Sequence, residues 1–201
     1  MSRLEPLPMP TDPAALAGLE GVRRAMGFVP NSMLIMMRRP KLAAALGMMA
    51  AAVAEPALVD GGFKRLLAHV ASCAAGCMYC SAHTADTALR LGIPEAKLAA
   101  VWDFRTSSLF SEAERAALEF ALGAGSVPNG VTDEQFAELR RHWSEEQIVE
   151  MLGTLCLFGF LNRWNDSLAT PLEAEPLATA DRVLAPQGWR ARSQRVTVSS
   201  S

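Results

Sequence analysis

A chain of 201 residues, half of them hydrophobic and a fifth charged, has the size and composition of one soluble globular domain and not of a disordered or fibrous protein. Its net charge of −2, with acidic and basic residues interspersed, leaves no footprint for nucleic acid or for an anionic lipid surface. The run from Ile148 to Phe160 is too short for a membrane span and is broken by Glu150, Gly153 and Gly159; Met1 to Pro13 holds four prolines and no secretory apolar segment, so a cytoplasmic address is expected.

Helix signals recur along the chain and strand signals do not, which predicts an all-α bundle of seven to nine helices. Residues 1–12 read as an N-terminal extension. Asp12 before Pro13 starts a helix with the apolar stripe Leu16, Leu19, Val22 and Met26, ended by Gly27. After a Pro30-Asn31 turn, Asn31 is expected to cap a second helix. Pro40 opens a stretch in which Leu42, Leu46, Met49 and Val53 keep helical spacing.

Asp60 can cap a helix from Phe63 to Ala75, and Gly76 stands where that helix must stop or bend. Cys77 to Arg90 reads as the next helix, closed by Gly92, and Pro94 starts another that reaches about Trp102. Three capping boxes follow: Ser111 with Glu114, Thr132 with Gln135, and Ser144 with Gln147. The last helix carries Ile148, Met151, Leu152, Leu155, Phe158 and Leu161 and runs to Leu168, before Pro171. The helical domain therefore spans residues 13–175 in this reading. Residues 176–201 form a C-terminal tail, extended from Asp181 or laid on a partner subunit. Alanine-rich helices pack closely but bury little surface per residue, so contacts between copies of the chain are expected to add to the core.

Three of the four cysteines, Cys73, Cys77 and Cys80, fall within eight residues, while Cys156 stands apart. That clustering suits a catalytic or metal site better than the framework of a secreted protein. Cys77 and Cys80 are spaced to share one helix face and to close a disulfide. A helix start also stabilises a thiolate through its free N–H groups and its dipole. His83, three residues further on, shares the face and can exchange protons. The bland alternative is a pair of packed interior cysteines. Cys73, Cys77, Cys80 and His83 offer four zinc ligands, but one continuous helix rarely wraps a tetrahedron. The CxxxCxxC spacing is similar to that of radical-SAM enzymes, whose cluster follows a barrel strand, and no strand is read here. No metal and no organic cofactor are therefore expected. Cys156 reads as a buried small hydrophobe, and His142 with Trp143 as a packing pair. Met33, Met36, Met37, Met48 and Met49 are either core filler or the wall of an apolar substrate pocket. Asn165-Asp166-Ser167 matches a glycosylation sequon that carries no weight without a secretory signal.

The stretch from Gly76 to Thr84, GCMYCSAHT, resembles the core of the AhpD-like, carboxymuconolactone decarboxylase superfamily. MGFVPN from Met26 and the later Arg39-Pro40 are similar to the lead-in of its longer, peroxidase-related members. FSEAERAALEFAL from Phe110 and FLNRWNDSL from Phe160 are similar to their second helical half. The resemblance implies a helical bundle assembled as a trimer or hexamer, acting as a thiol-dependent hydroperoxide reductase. In that scheme Cys80 is attacked by peroxide, Cys77 resolves it as a disulfide, His83 serves the proton relay, and an external dithiol reductant resets the pair. The prototype has a relay glutamate twelve residues before the first cysteine, where this chain has Arg65, and its histidine follows the second cysteine by four residues, not three. His69 and Asp166 are the candidates for the missing relay group. Two further readings stay open: a redox-sensing or partner-binding dithiol protein without turnover, and a lactone decarboxylase of the same superfamily, whose members lack the CxxC pair.

Overall fold

The computed structural model describes residues 2–54 and 58–191, and among these it contains ten α-helices and no strand. They are α1 (Pro13–Met26), α2 (Asn31–Met36), α3 (Pro40–Ala52), α4 (Gly61–Ala74), α5 (Met78–Arg90), α6 (Glu95–Ala99), α7 (Glu112–Gly125), α8 (Asp133–His142), α9 (Glu145–Leu168) and α10 (Ala174–Thr179). The all-α expectation holds, and short α10 brings the count among the described residues to ten. The Pro94 helix breaks after Ala99 into a 3-10 turn at Val101–Asp103.

Local chemistry sets most of the helix ends. Asp12 and Asp60 accept the amides of Ala15 and Phe63, and all three capping boxes close in both directions. Asn31 departs from expectation. Its side chain caps nothing at α2 and donates instead to the Pro171 carbonyl at 3.0 Å, tying that turn to the far end of the chain.

Helix α4 is the centre of the bundle, packed against α5, α7 and α9. Leu66, Leu67 and Val70 on it have no exposure at all. Across from it, α5 presents Ala82, Ala85 and Ala88, also fully buried, and side chains this small let the two axes come close. Lys64 of α4 is buried against Glu150 of α9, whose carboxylate also takes the amides of Leu58 and Val59.

At the α4–α7 crossing a Cβ on Gly125 would stand 2.5 Å from Ala71 Cα and 2.7 Å from its carbonyl oxygen. Backbone cannot yield there as a side-chain tip would. Gly125→Ala is accordingly expected to lower stability by about 1–3 kcal/mol, read as a fall in the urea midpoint. An unchanged midpoint would contradict this packing.

The C-terminal segment differs from the extended tail expected from Asp181. After α10 the chain continues as a π-type turn, Ala180–Leu184, and a 3-10 turn, Ala185–Gln187. Val183, Leu184 and Trp189 are buried in the main core, and the Trp189 indole donates to Ser81 Oγ at 3.1 Å. Apolar residues among the polar ones were enough to dock this stretch on the bundle. Residues 192–201, the rest of the expected tail, lie outside the described residues. No helix of the described residues is long and apolar enough to cross a membrane.

Candidate active site

Gly76 joins α4 to α5 in the left-handed region, at φ 74°, a conformation that costs glycine little and other residues more. This tight link puts Cys77 at the N-cap of α5, where its Sγ accepts the Cys80 amide at 3.4 Å. The two cysteines are not joined to each other, and both are almost wholly buried. Around them pack Ala68, Tyr79 and Phe158. A cavity of about 470 Å³ opens beside the helix start, with Cys77, Tyr79, Asn165 and Thr170 on its wall.

The two thiols are not equivalent. The Cys80 side chain donates to Cys77 Sγ, and with the Cys80 amide this holds the Cys77 thiol below its ordinary range, against the effect of burial. Burial pushes Cys80 well up, as does the charge on Cys77, although Asn165 Nδ2 donates to its sulfur at 3.4 Å. Cys77, the thiol at the cavity wall, is therefore the more readily ionised of the two. Asn165, read from the sequence only as part of a sequon, is buried and in contact with the second thiol.

His83 lies one turn further along α5, between the rings of Tyr79 (centroids 4.3 Å apart) and Phe28 (5.7 Å). Its Nε2 meets Glu173 Oε2 at 2.6 Å. The other oxygen of Glu173 accepts the Tyr79 hydroxyl at 3.0 Å and the backbone N–H of Asn31. Burial works to raise the Glu173 carboxyl, but the His83 contact and the Asn31 amide outweigh it and hold the group below the usual carboxylate range. Tyr79 shifts well upward, from burial first and the Glu173 charge second, so its hydroxyl stays a donor. Glu173 reaches the site because α9 stops at Ala169 in the left-handed region, φ 49°, and the chain turns back along the start of α5.

Of the candidates for the missing relay group, His69 is fully buried and its burial lowers its pKa to about 4. Its ring is neutral at physiological pH. Nδ1 donates to the Ser81 carbonyl at 3.0 Å, and Nε2 lies 3.7 Å from Cys73 Sγ, so the ring serves the third cysteine. Cys73 itself is driven up to about 12, by burial and by the neighbouring Cys77. Arg65 lies over the Phe158 ring, 5.3 Å from its centroid, and supplies no carboxylate. Asp166 lies on the cavity wall, and its charge bears on both Cys77 and Cys80.

Two other expectations are corrected. Cys156 is exposed, because it faces outward from α9 beside Leu152 and Phe160, where a shallow depression of about 890 Å³ lies. None of the five methionines named from the sequence lines either cavity; Met36 is core and Met48 points to solvent. Among the described residues no three His, Cys, Asp or Glu side chains are arranged to hold a metal ion.

The sequence profile of the carboxymuconolactone decarboxylase family matches residues 40–122, the segment that holds Cys77, Cys80 and His83. The debrominase Bmp8 is similar in structure, with a TM-score of 0.84 and 36% identity over 89% of this chain and 96% of that one. Its solved forms include a variant with one cysteine replaced by alanine, in complex with 2,3,4-tribromopyrrole. A peroxidase-related AhpD core protein from Ralstonia eutropha JMP134 shares the fold, with a TM-score of 0.71 at 21% identity over 86% of this chain and 94% of that one. YnjA of Escherichia coli K12 is 35% identical over 77 residues, 38% of this chain and 42% of its own length, so the chain spans less than half of that curated relative. The chain belongs to the AhpD-like, carboxymuconolactone decarboxylase superfamily.

Proposed function

We propose that the chain is a dithiol-dependent reductase in which Cys77, Cys80 and His83 reduce a small hydroperoxide. The observation that carries this reading is the uneven pair: Cys77 at the cavity wall and at the start of α5, accepting the Cys80 amide and more readily ionised than the buried Cys80 thiol behind it. The Cys77 thiolate attacks the terminal peroxide oxygen. The O–O bond breaks, and its electron pair leaves on an alkoxide that takes a proton from His83. Cys80 then attacks the sulfenic acid on Cys77, forming the disulfide and releasing water. An external dithiol exchanges with that disulfide and restores both thiols. This order reverses the roles that the family resemblance implies for the two cysteines. No organic cofactor or metal enters the cycle. An assembly of several copies fits the same reading, and the open apolar face of α9 around Leu152 and Phe160 is the surface it would cover.

A second electron acceptor is favoured by one specific finding, the 36% identity to a debrominase over almost its whole length. In that version the Cys77 thiolate takes the bromine of a halogenated heteroaromatic ring, and the ring carbon takes a proton. Cys80 then displaces bromide from Cys77 sulfur, leaving the same disulfide. The deciding experiment supplies dithiothreitol as reductant and offers cumene hydroperoxide and 2,3,4-tribromopyrrole in parallel, following thiol consumption and bromide release. Catalytic thiol consumption with the hydroperoxide is the expected result. Bromide release alone moves the chain to the second version. Stoichiometric oxidation without turnover on either compound sinks the reductase reading and leaves a redox-sensing dithiol.

A further inference from the structure

The chain lacks a carboxylate where the superfamily prototype carries its relay glutamate, yet His83 is paired with one that comes from the other end of the sequence, 90 residues away. Three donors surround this carboxylate. Oε1 takes the Tyr79 hydroxyl and the Asn31 backbone N–H, and Oε2 is left to His83. The segment that bears it is itself tied down, since Asn31 Nδ2 holds the Pro171 carbonyl at 3.0 Å. A carboxylate fixed in this way can only accept, so the ring nitrogen that faces it must carry a proton.

We propose that Glu173 is the positioning residue of the dithiol site, holding His83 with its proton on Nε2 so that Nδ1 is the nitrogen that exchanges protons during the reaction. The proposal rests on the reductase reading for its kinetic consequence and on geometry alone for its structural one. Glu173 and Tyr79 are the titratable groups against the His83 ring, and its other neighbour, Phe28, is apolar. As the Cys77 thiol ionises, its proton passes to Nδ1, and when His83 gives that proton to the leaving group the ring returns to the Nε2–H form that the carboxylate stabilises, which is how an orienting acid supports a catalytic base in other nucleophile–histidine sites.

The Asn31 N–H makes one substitution especially informative. In Glu173→Gln the amide oxygen must occupy the position facing that N–H, which cannot accept a hydrogen bond. The amide NH₂ is thereby turned toward His83 Nε2, and the neutral ring is forced into the opposite tautomer, with its proton on Nδ1. Ring ¹⁵N NMR of the reduced protein, with His83 assigned by the loss of its signals in His83→Ala, reads this without any substrate. The wild type should show the Nε2–H form and Glu173→Gln the Nδ1–H form. In turnover, kcat should fall about a hundredfold, the usual scale of positioned acid–base help, while KM changes less than about threefold. Glu173→Asp keeps an acceptor-only group and should keep the Nε2–H tautomer with a smaller loss. That variant carries the test if the glutamine variant does not fold. A wild-type ring with its proton on Nδ1, or a tautomer unchanged in Glu173→Gln, overturns the proposal. So does a switched tautomer with an undiminished kcat. A tautomer switch in a protein that reduces neither test compound would instead uphold the positioning geometry and overturn only the reductase reading.

Discussion

Cys77→Ser is expected to abolish reduction of the electron acceptor, a loss of at least about a thousandfold, because it removes the thiolate that makes the first bond. Cys80→Ser should still react once and stop at a sulfenic acid that a dimedone-type probe traps and mass spectrometry locates on Cys77. The ionisation of the pair sets this order. Cys77 is held below the ordinary thiol range by the Cys80 side chain and amide, whereas burial drives Cys80 up. Thiolate on Cys77 accumulates as pH rises through that lowered value, so limited alkylation near neutrality should label Cys77 first. Cys73, at about 12, should stay unlabelled. A probe adduct on Cys80 in the Cys77→Ser protein would return the attack to Cys80, as the family resemblance implies.

His83→Ala is expected to slow the chemical step about a hundredfold. Cleaving the peroxide bond leaves an alkoxide that needs a proton, and in the proposed cycle His83, one turn beyond Cys80 and paired with Glu173, supplies it. The fold should survive, since the Glu173 carboxylate keeps its Tyr79 and Asn31 donors. The deleted ring leaves a slot between Tyr79 and Phe28. Free imidazole in the buffer should enter it and restore part of the lost rate, as followed by stopped-flow oxidation of the thiols. Unchanged rates in His83→Ala would reduce the histidine to a packing element and make Asp166, the carboxylate on the cavity wall, the next candidate for the relay.

Where the sequence anticipated the molecule, it did so through interactions between residues close in the chain. Asp12, Asp60, the three capping boxes and the glycines at 27, 76 and 92 act within one helical turn, and each marks a boundary that the structure keeps. The placing of Cys77, Cys80 and His83 at the start of one helix was legible for the same reason. Glu173 was not. Its role depends on where α9 stops and on how the following turn passes α5, neither of which a local rule specifies. Asn165 was hidden differently, its sequon match diverting attention from the amide that reaches Cys80. Cys156 was misread because α9 is apolar on nearly every side, so periodicity could not say which stripe faces inward. The tail from Asp181 looked irregular because Val183, Leu184 and Trp189 keep no simple period, yet they bury against the core.

That docked tail puts an indole within two hydrogen bonds of the dithiol turn. The Trp189 indole donates to Ser81 Oγ, and the same hydroxyl donates to the Met78 carbonyl within the turn that separates the two redox thiols. A sulfur–sulfur bond across that turn must adjust it, and the adjustment passes to the chromophore through a single hydroxyl. Indole emission depends on the polarity and hydrogen bonding around the ring, so closing a disulfide between Cys77 and Cys80 is expected to shift the emission of Trp189.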